Sequence, residues 1–419
     1  GYQTQEVKAA RTMKIILKED SELLQEVVVV GYGTQKKANL TGAVATVDVN
    51  KTLDSRPIAD IGRGLQGAVA GVNITIPTGE VGSDPLIKIR GQVGSISGNN
   101  TPLILLDNVE IPSIQMVNPN DVQSISVLKD AASSSIYGSK AAFGVILITT
   151  KSGAQSDKFE ISYSNNFSWQ DPAKKIEIGG IEALQYTLDA QTNRREPMPA
   201  GGFWRISPES LEKAIEWQNL YGGKVKWNDP VVYGRDWFYD GKDKYGYRLY
   251  DGAKAMIKNW TPTMTHNLSV NGKSGKTSYN IGLGYLDQSG MSKTAKKDDF
   301  KRYNASVSVT SEINKYITVR ASSIYSDRNK RYPGIGNTTA DPWLYLYRWS
   351  PLMPMGVTEN GNPLKEPTYE MAAANTDNLQ NKYYNINLGF TLNLTKNWDV
   401  KFDYTYDRQT TETNSSVMQ

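Results

Sequence analysis

The chain contains one histidine, His266, and no cysteine. A Ser-His-Asp triad would have to be assembled on that single imidazole, and cysteine-based zinc sites and disulfide scaffolds are excluded. His266 opens a strand-like segment beside a long loop, without an evident Ser or Asp setting. It reads as an interfacial or surface residue, and neither a metal nor a cofactor is expected. Lys129 and Asp130 are adjacent charges at the start of a helical stretch, which favours a helix-start pair over a catalytic dyad. Gly31-Tyr32-Gly33 lacks the Lys and Ser/Thr placement of a phosphate loop. The residue types do not read as an enzyme.

Two other groups could carry function. Glu26-Val27-Val28-Val29-Val30-Gly31-Tyr32-Gly33 is a valine run, strongly extended by propensity, broken by glycine. It is either a buried strand with its turn or a mobile segment that pairs with a partner's sheet edge. The second group is aromatic. Tyr 24 and Trp 9 outnumber Phe 8, a balance suited to surfaces that are apolar on one side and wet on the other. Trp204, Trp217, Trp227, Trp237 and Trp260 lie in one long segment, and Trp343, Tyr345, Tyr347 and Trp349 in another. Such residues either pack loops and partners or stack on substrate. Trp204, Trp237, Trp343 and Trp349 are the candidates for substrate or partner contact.

The elements that must position these groups fall into two parts, divided near Gly153. The first is mixed α/β. Thr12 to Leu17 resembles the last strand of a small preceding domain. Short strands are expected at Gly71 to Ile76, Leu86 to Arg90, Leu103 to Leu106, Ile125 to Leu128 and Val145 to Thr150. Helices fit at Ile61 to Ala70 and at Lys129 to Tyr137, with Gly138 as the residue that ends the second. In the second part the period is 2. Tyr279, Ile281, Leu283 and Tyr285 alternate with polar or small residues, as do Tyr303, Ala305, Val307 and Val309. Tyr384 to Thr395 and Trp398 to Asp407 repeat the pattern, and Phe159 to Trp169, Met264 to Val270 and Ile317 to Asp327 follow it less cleanly.

A sandwich also alternates. A transmembrane barrel is favoured by strands of about ten residues, aromatics near strand ends and connections that alternate short and long. Asn271 to Lys276, Ser311 to Lys315 and Thr395 to Asn397 are tight; Asp171 to Pro262, Gln288 to Asp299 and Arg328 to Asn381 are long. No apolar run is long enough for a helical span. Lys+Arg 47 against Asp+Glu 43 leaves +4 without a basic stripe, which excludes a general nucleic-acid-binding role. About seven strands are legible, and Thr411 to Gln419 reads as a polar stretch with no strand after it. Seven strands do not close a bacterial barrel, so the expectation is the N-terminal portion of a longer polypeptide.

The first part resembles the plug domain of TonB-dependent outer-membrane transporters of the SusC/RagA-like family. The resemblance rests on Leu65-Gln66-Gly67-Ala68-Val69-Ala70-Gly71-Val72, on Ile87-Lys88-Ile89-Arg90-Gly91, and on Pro102-Leu103-Ile104-Leu105-Leu106-Asp107, where Asn108 replaces the usual Gly. It continues through Ser124 to Ala131 and from Ile136-Tyr137-Gly138 to Lys151, with Phe143 where Asn is common. About 130 residues are covered. In the barrel, His266 to Val270 and Arg302-Tyr303-Asn304 fit more loosely.

The resemblance implies an antiparallel membrane β-barrel, about 22 strands when complete and about 7 here, with an N-terminal α/β plug in its lumen. Residues 1–24 would end an N-terminal extension, 25–37 would hold the TonB box, 38–153 the plug and 154–419 the first part of the barrel with long extracellular loops. Glu26 to Gly33 would pair with TonB of the TonB-ExbB-ExbD system, and pulling would open the lumen. Arg90 and Asp107, on adjacent plug strands by analogy, would be a structural pair; Gly91, Lys129, Asp130, Tyr137 and Gly138 would be structural too. The implied activity is active import of an oligosaccharide or oligopeptide in the outer membrane of a Gram-negative bacterium. A SusD/RagB-like lipoprotein would form the lid, often in a dimer of such pairs, among outer-membrane lipid. A receptor that signals occupancy through its N-terminal domain, and a barrel used as enzyme or adhesin scaffold, are the other readings; the plug signature weighs against both and against a passive porin.

Overall fold

The structure, a computed structural model, describes residues 27–30, 33–36, 44–47, 49, 60–76, 80–91, 101–130, 134–151, 153, 159–172, 177–194, 204–226, 228–334, 350–395 and 398–415. The valine run forms β1 (Val27–Val30), antiparallel to β2 (Gly33–Lys36), with Val30 opposite Gly33. Among the described residues this two-stranded sheet is joined to no other.

The α/β part comprises β3 (Val44–Val47), α1 (Ile61–Leu65), β4 (Val72–Thr75), β5 (Leu86–Ile89), β6 (Leu103–Leu106), β7 (Val109–Glu110), β8 (Val122–Leu128) and β9 (Val145–Thr150). Five strands form one sheet in the order β3-β8-β9-β6-β7, while among the described residues β4 and β5 pair only with each other. The apolar run Val145 to Ile148 of β9 has a simple cause: both faces of the sheet are covered. Ile125, Val127, Ile146 and Ile148 enter one core with Ile61, Leu65 and Ile89. Leu128, Val145 and Leu147 enter a second core with Leu103 and Leu105.

Two helices depart from expectation. The first ends at Leu65 instead of Ala70, because Gln66 turns extended (φ −60°, ψ 119°). The second was expected from Lys129 to Tyr137; the described residues show 3-10 turns over Ser135–Ala141 instead. Gly138 lies inside them as a kink, at φ 66° and ψ −153°, a region open to glycine and closed to most residues.

β10 (Glu160–Gln170) begins the large sheet. An insertion follows, with α2 (Ile181–Arg194), β11 (Trp204–Arg205), α3 (Pro208–Tyr221), β12 (Trp237–Tyr239), β13 (Lys244–Gly246) and α4 (Gly252–Met256). The sheet resumes as β14 (Thr261–Ser274), β15 (Thr277–Ser289), β16 (Asp299–Glu312) and β17 (Ile317–Gly334). After α5 (Pro367–Ala373) it ends with β18 (Asn375–Thr395) and β19 (Trp398–Asn414). These are the seven strands expected, in the order β10-β14-β15-β16-β17-β18-β19. Every neighbouring pair is antiparallel. The strands run beyond their patterned centres, to 21 residues in β18. The stretch read as a polar tail from Thr411 is still strand as far as Asn414, which pairs with Asn378. Where water reaches both faces, the backbone ladder persists without hydrophobic alternation to announce it.

One face of this sheet exposes Ile281, Leu283, Tyr303, Val307, Ile386, Leu388, Phe402 and Tyr404. The other buries Asn280, Arg302, Asn304, Ser326 and Arg328 against the α/β part. Apolar outside and polar inside is the pattern of a membrane barrel wall. No helix among the described residues is long and apolar enough to cross a membrane. The long connections at one end pack together. Val231 N–H bonds Val357 O (2.7 Å), Tyr250 N–H bonds Pro351 O (2.7 Å) and Lys258 N–H bonds Met291 O (2.7 Å). Val231, Tyr250 and Met256 share a core with Met355 and Met371.

Candidate functional site

The site is the contact between the α/β part and the polar face of the sheet. Two short 3-10 turns present the former. Ile114–Met116 is capped by the Ser113 hydroxyl, which accepts from Gln115 N–H. Pro119–Asp121 is capped by the Asn118 side chain, with proline at its first position. Against them β16 turns four successive inward side chains. Arg302 Nη1 donates to Gln115 O (3.0 Å) and Asn304 Nδ2 to Met116 O (2.8 Å). Ser306 Oγ donates to Asp121 Oδ2 (2.8 Å) and Ser308 Oγ to Lys151 O (3.3 Å). The neighbouring strands extend the seam. Asn118 Nδ2 donates to Asn267 Oδ1 on β14 (3.0 Å), and on β17 Arg328 Nη1 donates to Ser113 Oγ (2.9 Å) and Lys330 Nζ to Glu80 Oε2 (2.6 Å). Gly282 on β15 leaves the room: a Cβ there would collide with the Asp121 carboxylate and the Ser306 hydroxyl. Burial raises the Asp121 pKa above the ordinary carboxylate value, partly offset by the Ser306 hydrogen bond.

The sequence singled out Arg302 and Asn304 as part of a barrel motif, named Ser306 and Ser308 only as polar positions of an alternating strand, and put Arg328 and Lys330 in a long connection, whereas β17 runs on to Gly334. Their inward parity is legible; what each meets depends on the strand register.

The expected neighbour relation of Arg90 and Asp107 is corrected. Arg90 follows β5, whose partner is β4, whereas Asp107 follows β6 in the five-stranded sheet. Arg90 instead stands just past β5, at φ 54°, with its N–H on Gly71 O (2.7 Å) and Gly91 next at φ 64°. Asp107 accepts from Thr150 N–H (2.9 Å) and Thr150 Oγ1 (2.6 Å), which fastens the end of β6 to β9. Burial raises its pKa, and the Thr150 bonds act against that rise. Asn108 stands at φ 70°, the left-handed conformation that asparagine tolerates. Lys129 Nζ reaches Ala70 O (2.6 Å), and Asp130 O accepts from Ser134 N–H (3.1 Å) and its hydroxyl (2.9 Å). Tyr137 packs against the second core.

Of Glu26 to Gly33, the residues Val27 to Val30 and Gly33 are in the hairpin; Glu26, Gly31 and Tyr32 lie outside the described residues, as do Trp227, Trp343 and Trp349. Trp204 heads β11. Trp237 packs on the core of Val231, Tyr250 and Met256. In the same insertion a fully buried carboxylate, Asp236, organises what the sequence did not reveal. It accepts from Trp217 Nε1 (2.8 Å), Val232 N–H (2.9 Å) and Arg235 Nη2 (2.7 Å), with Arg248 Nη1 at 3.5 Å. Burial raises its pKa, but these hydrogen bonds outweigh the burial and hold it below the ordinary value. Trp217 is therefore a packing residue.

His266 lies on the outward face. Tyr163 Oη is 2.7 Å from its Nδ1, Phe167 meets it edge-on and Tyr285 stacks at 6.3 Å. These rings form an aromatic cluster on the outward face. Among the described residues no three His, Asp or Glu side chains are grouped to hold a metal ion.

A family model described as TonB-dependent Receptor Plug Domain matches residues 36–145. The chain is 30% identical over 318 residues to the TonB-dependent receptor SusC of Bacteroides thetaiotaomicron, a match covering 74% of this chain and 27% of that protein. It is 29% identical over 393 residues to the TonB-dependent receptor P26 of Formosa agariphila, covering 91% of this chain and 35% of that protein. The chain thus spans about a quarter to a third of the length of these relatives. Its structure is similar to that of the RagAB peptide importer in the open-open state, with a TM-score of 0.63, 25% identity, and 92% of this chain and 43% of that chain covered. A plug bonded to the polar face of a lipid-facing antiparallel wall, with these relatives, places the chain among the SusC/RagA-like TonB-dependent receptors as their plug and the opening strands of their barrel.

Proposed function

We propose that the chain is the moving plug and first wall of an active importer in the outer membrane. The observation that carries this is a sequence of three parts: a valine strand joined, among the described residues, only to its own hairpin partner, a plug immediately after it, and a lipid-facing wall bonded to that plug. In this reading β1 exchanges β2 for the edge of TonB's periplasmic domain, and backbone hydrogen bonds carry the pull. The wall is completed by further strands to a closed barrel of about 22, since hydrocarbon tolerates no unpaired strand edge. The cargo is an oligosaccharide or an oligopeptide, held under a SusD/RagB-like surface lipoprotein, with two such pairs in a dimer. The relatives support this: one is SusC, and another is a peptide importer.

The test is proline in the valine strand. Val28→Pro and Val29→Pro each remove a backbone donor and interrupt strand pairing. Receptors carrying them are expected to reach the outer membrane in normal amount and to lose uptake of defined oligopeptide and oligosaccharide pools, as a TonB deletion does. Uptake that survives both would overturn the proposal.

A further inference from the structure

Every residue of β1 has an opposite number in β2. Val27, Val28, Val29 and Val30 face Lys36, Gln35, Thr34 and Gly33, and among the described residues neither strand pairs with any other. The two strands are unequal. β1 is four valines, a residue type that favours extended chain; of Gly33, Thr34, Gln35 and Lys36 in β2, only the threonine does. An isolated two-stranded hairpin is marginal in water. The tether keeps this poor partner in place. Two residues separate Val30 from Gly33, and a short tether holds a strand at an effective concentration on the order of millimolar. The hairpin also has a direction. Lys36, opposite Val27, is the end from which the chain runs on to the plug, where β3 begins at Val44. A pull on β1 away from the plug draws Lys36 from Val27 first and parts the pairs one at a time.

We propose that β2 is an autoinhibitory strand: it occupies the edge of β1 that TonB needs, so TonB pairs only with receptors whose hairpin is open. This rests on the importer reading above, in which β1 exchanges β2 for TonB. Closed, the hairpin withholds that edge of the valine run from any neighbouring sheet, to which a bare apolar strand would be a template. Opening is cheap overall, because the ladder bonds lost to β2 are remade with TonB. Two competitors for one edge also fix a sign. Weakening β2 strengthens TonB binding, whereas weakening β1 removes it.

The test is the affinity of the purified full-length receptor for the periplasmic domain of TonB. Thr34→Pro and Gln35→Pro each interrupt β2 and leave the residues of β1 unchanged. Binding is expected to tighten about three- to tenfold, the factor by which a hairpin closed most of the time holds back its competitor. The converse is a lock. This chain has no cysteine, and opposed pairs alternate between two spacings, so Val28→Cys with Gln35→Cys and Val29→Cys with Thr34→Cys are both made. Oxidation of the pair that closes is expected to abolish TonB binding and reduction to restore it, with the unsubstituted receptor indifferent to both treatments. Proline variants that bind no tighter overturn the proposal. So does an oxidised hairpin that binds as well as the reduced one, which would mean that TonB adds to the opposite edge of β1. No binding by any of these receptors, the proline variants included, overturns the importer reading instead, so the two failures are distinguishable.

Discussion

Arg302 on β16 and Arg328 on β17 stand directly opposite each other in register, both turned inward and both buried, at 4% and 7% exposure. Like charges in opposed positions repel. The plug compensates from its side: Gln115 O and Ser113 Oγ accept from the two guanidiniums, and the Asp84 carboxylate lies 3.7 Å from Arg328. Asp60 and Asp121 lie within electrostatic range of Arg302. The wall alone would be strained by this pair, and the seated plug relieves it.

Arg302→Met should therefore loosen the plug by about 1–3 kcal/mol, the cost of leaving a buried carbonyl unpaired. Adding Arg328→Met should cost less than Arg328→Met costs alone, because the repulsion is already gone. A double-mutant cycle on plug protection from protease measures this, and strict additivity would contradict it.

Asp236→Asn should unfold the inserted region while leaving the wall intact. Removing one partner of a buried ion cluster costs about 3–5 kcal/mol, because Arg248 is left buried without its counter-charge. Loss of structured Trp217 emission with unchanged heat-resistant barrel mobility on a gel is the expected readout.

At the Asp107-Asn108 turn, Asn108→Gly should be tolerated and Asn108→Val should cost about 1–2 kcal/mol, since φ 70° crowds a β-branched side chain. Asp107→Ala should free Thr150 and loosen β6 from β9. Thermal unfolding of the three variants orders them.

Acidity should act on the two regions with opposite sign. Asp60, Asp107 and Asp121 have raised pKa values, so the folded plug binds protons more tightly than the unfolded chain. Their effect is to lower plug stability as pH climbs from the ordinary carboxylate value of about 3.9 through their raised values, and to restore it on acidification. Asp236 is lowered instead; its stabilisation is complete above about 3.9 and is lost as pH falls through its folded value. Hydrogen exchange corrected for its intrinsic rate, compared for β9 and α3 between about pH 6 and 3, should show protection of β9 gaining relative to α3. Parallel behaviour of the two would refute this.

How much of this was legible depends on where the cause lies. The centres of the wall strands were readable because lipid on one face and plug on the other force alternation, as at Ile281 and Asn280. Their polar ends were not, because Thr411 to Asn414 continue β19 with polar side chains, as where Thr411 Oγ1 donates to Asn381 Oδ1 (2.6 Å). The plug strands followed from apolar runs covered on both faces. The opposition of Arg302 and Arg328 was invisible, since it depends on the register between β16 and β17. The cluster around Asp236 draws Trp217, Arg235 and Arg248 from separate elements of one insertion, and no local pattern records that meeting. Arg90 and Asp107 were placed together by analogy, and the sheet order separates them.

The seam on β14 to β17 also bears on the order of construction. A folded plug cannot be threaded into a finished cylinder without unfolding one or the other. Among the described residues the hydrogen bonds that seat it reach β14, β16 and β17, strands that follow it in the chain. The plug can therefore seat against these strands before the barrel is closed.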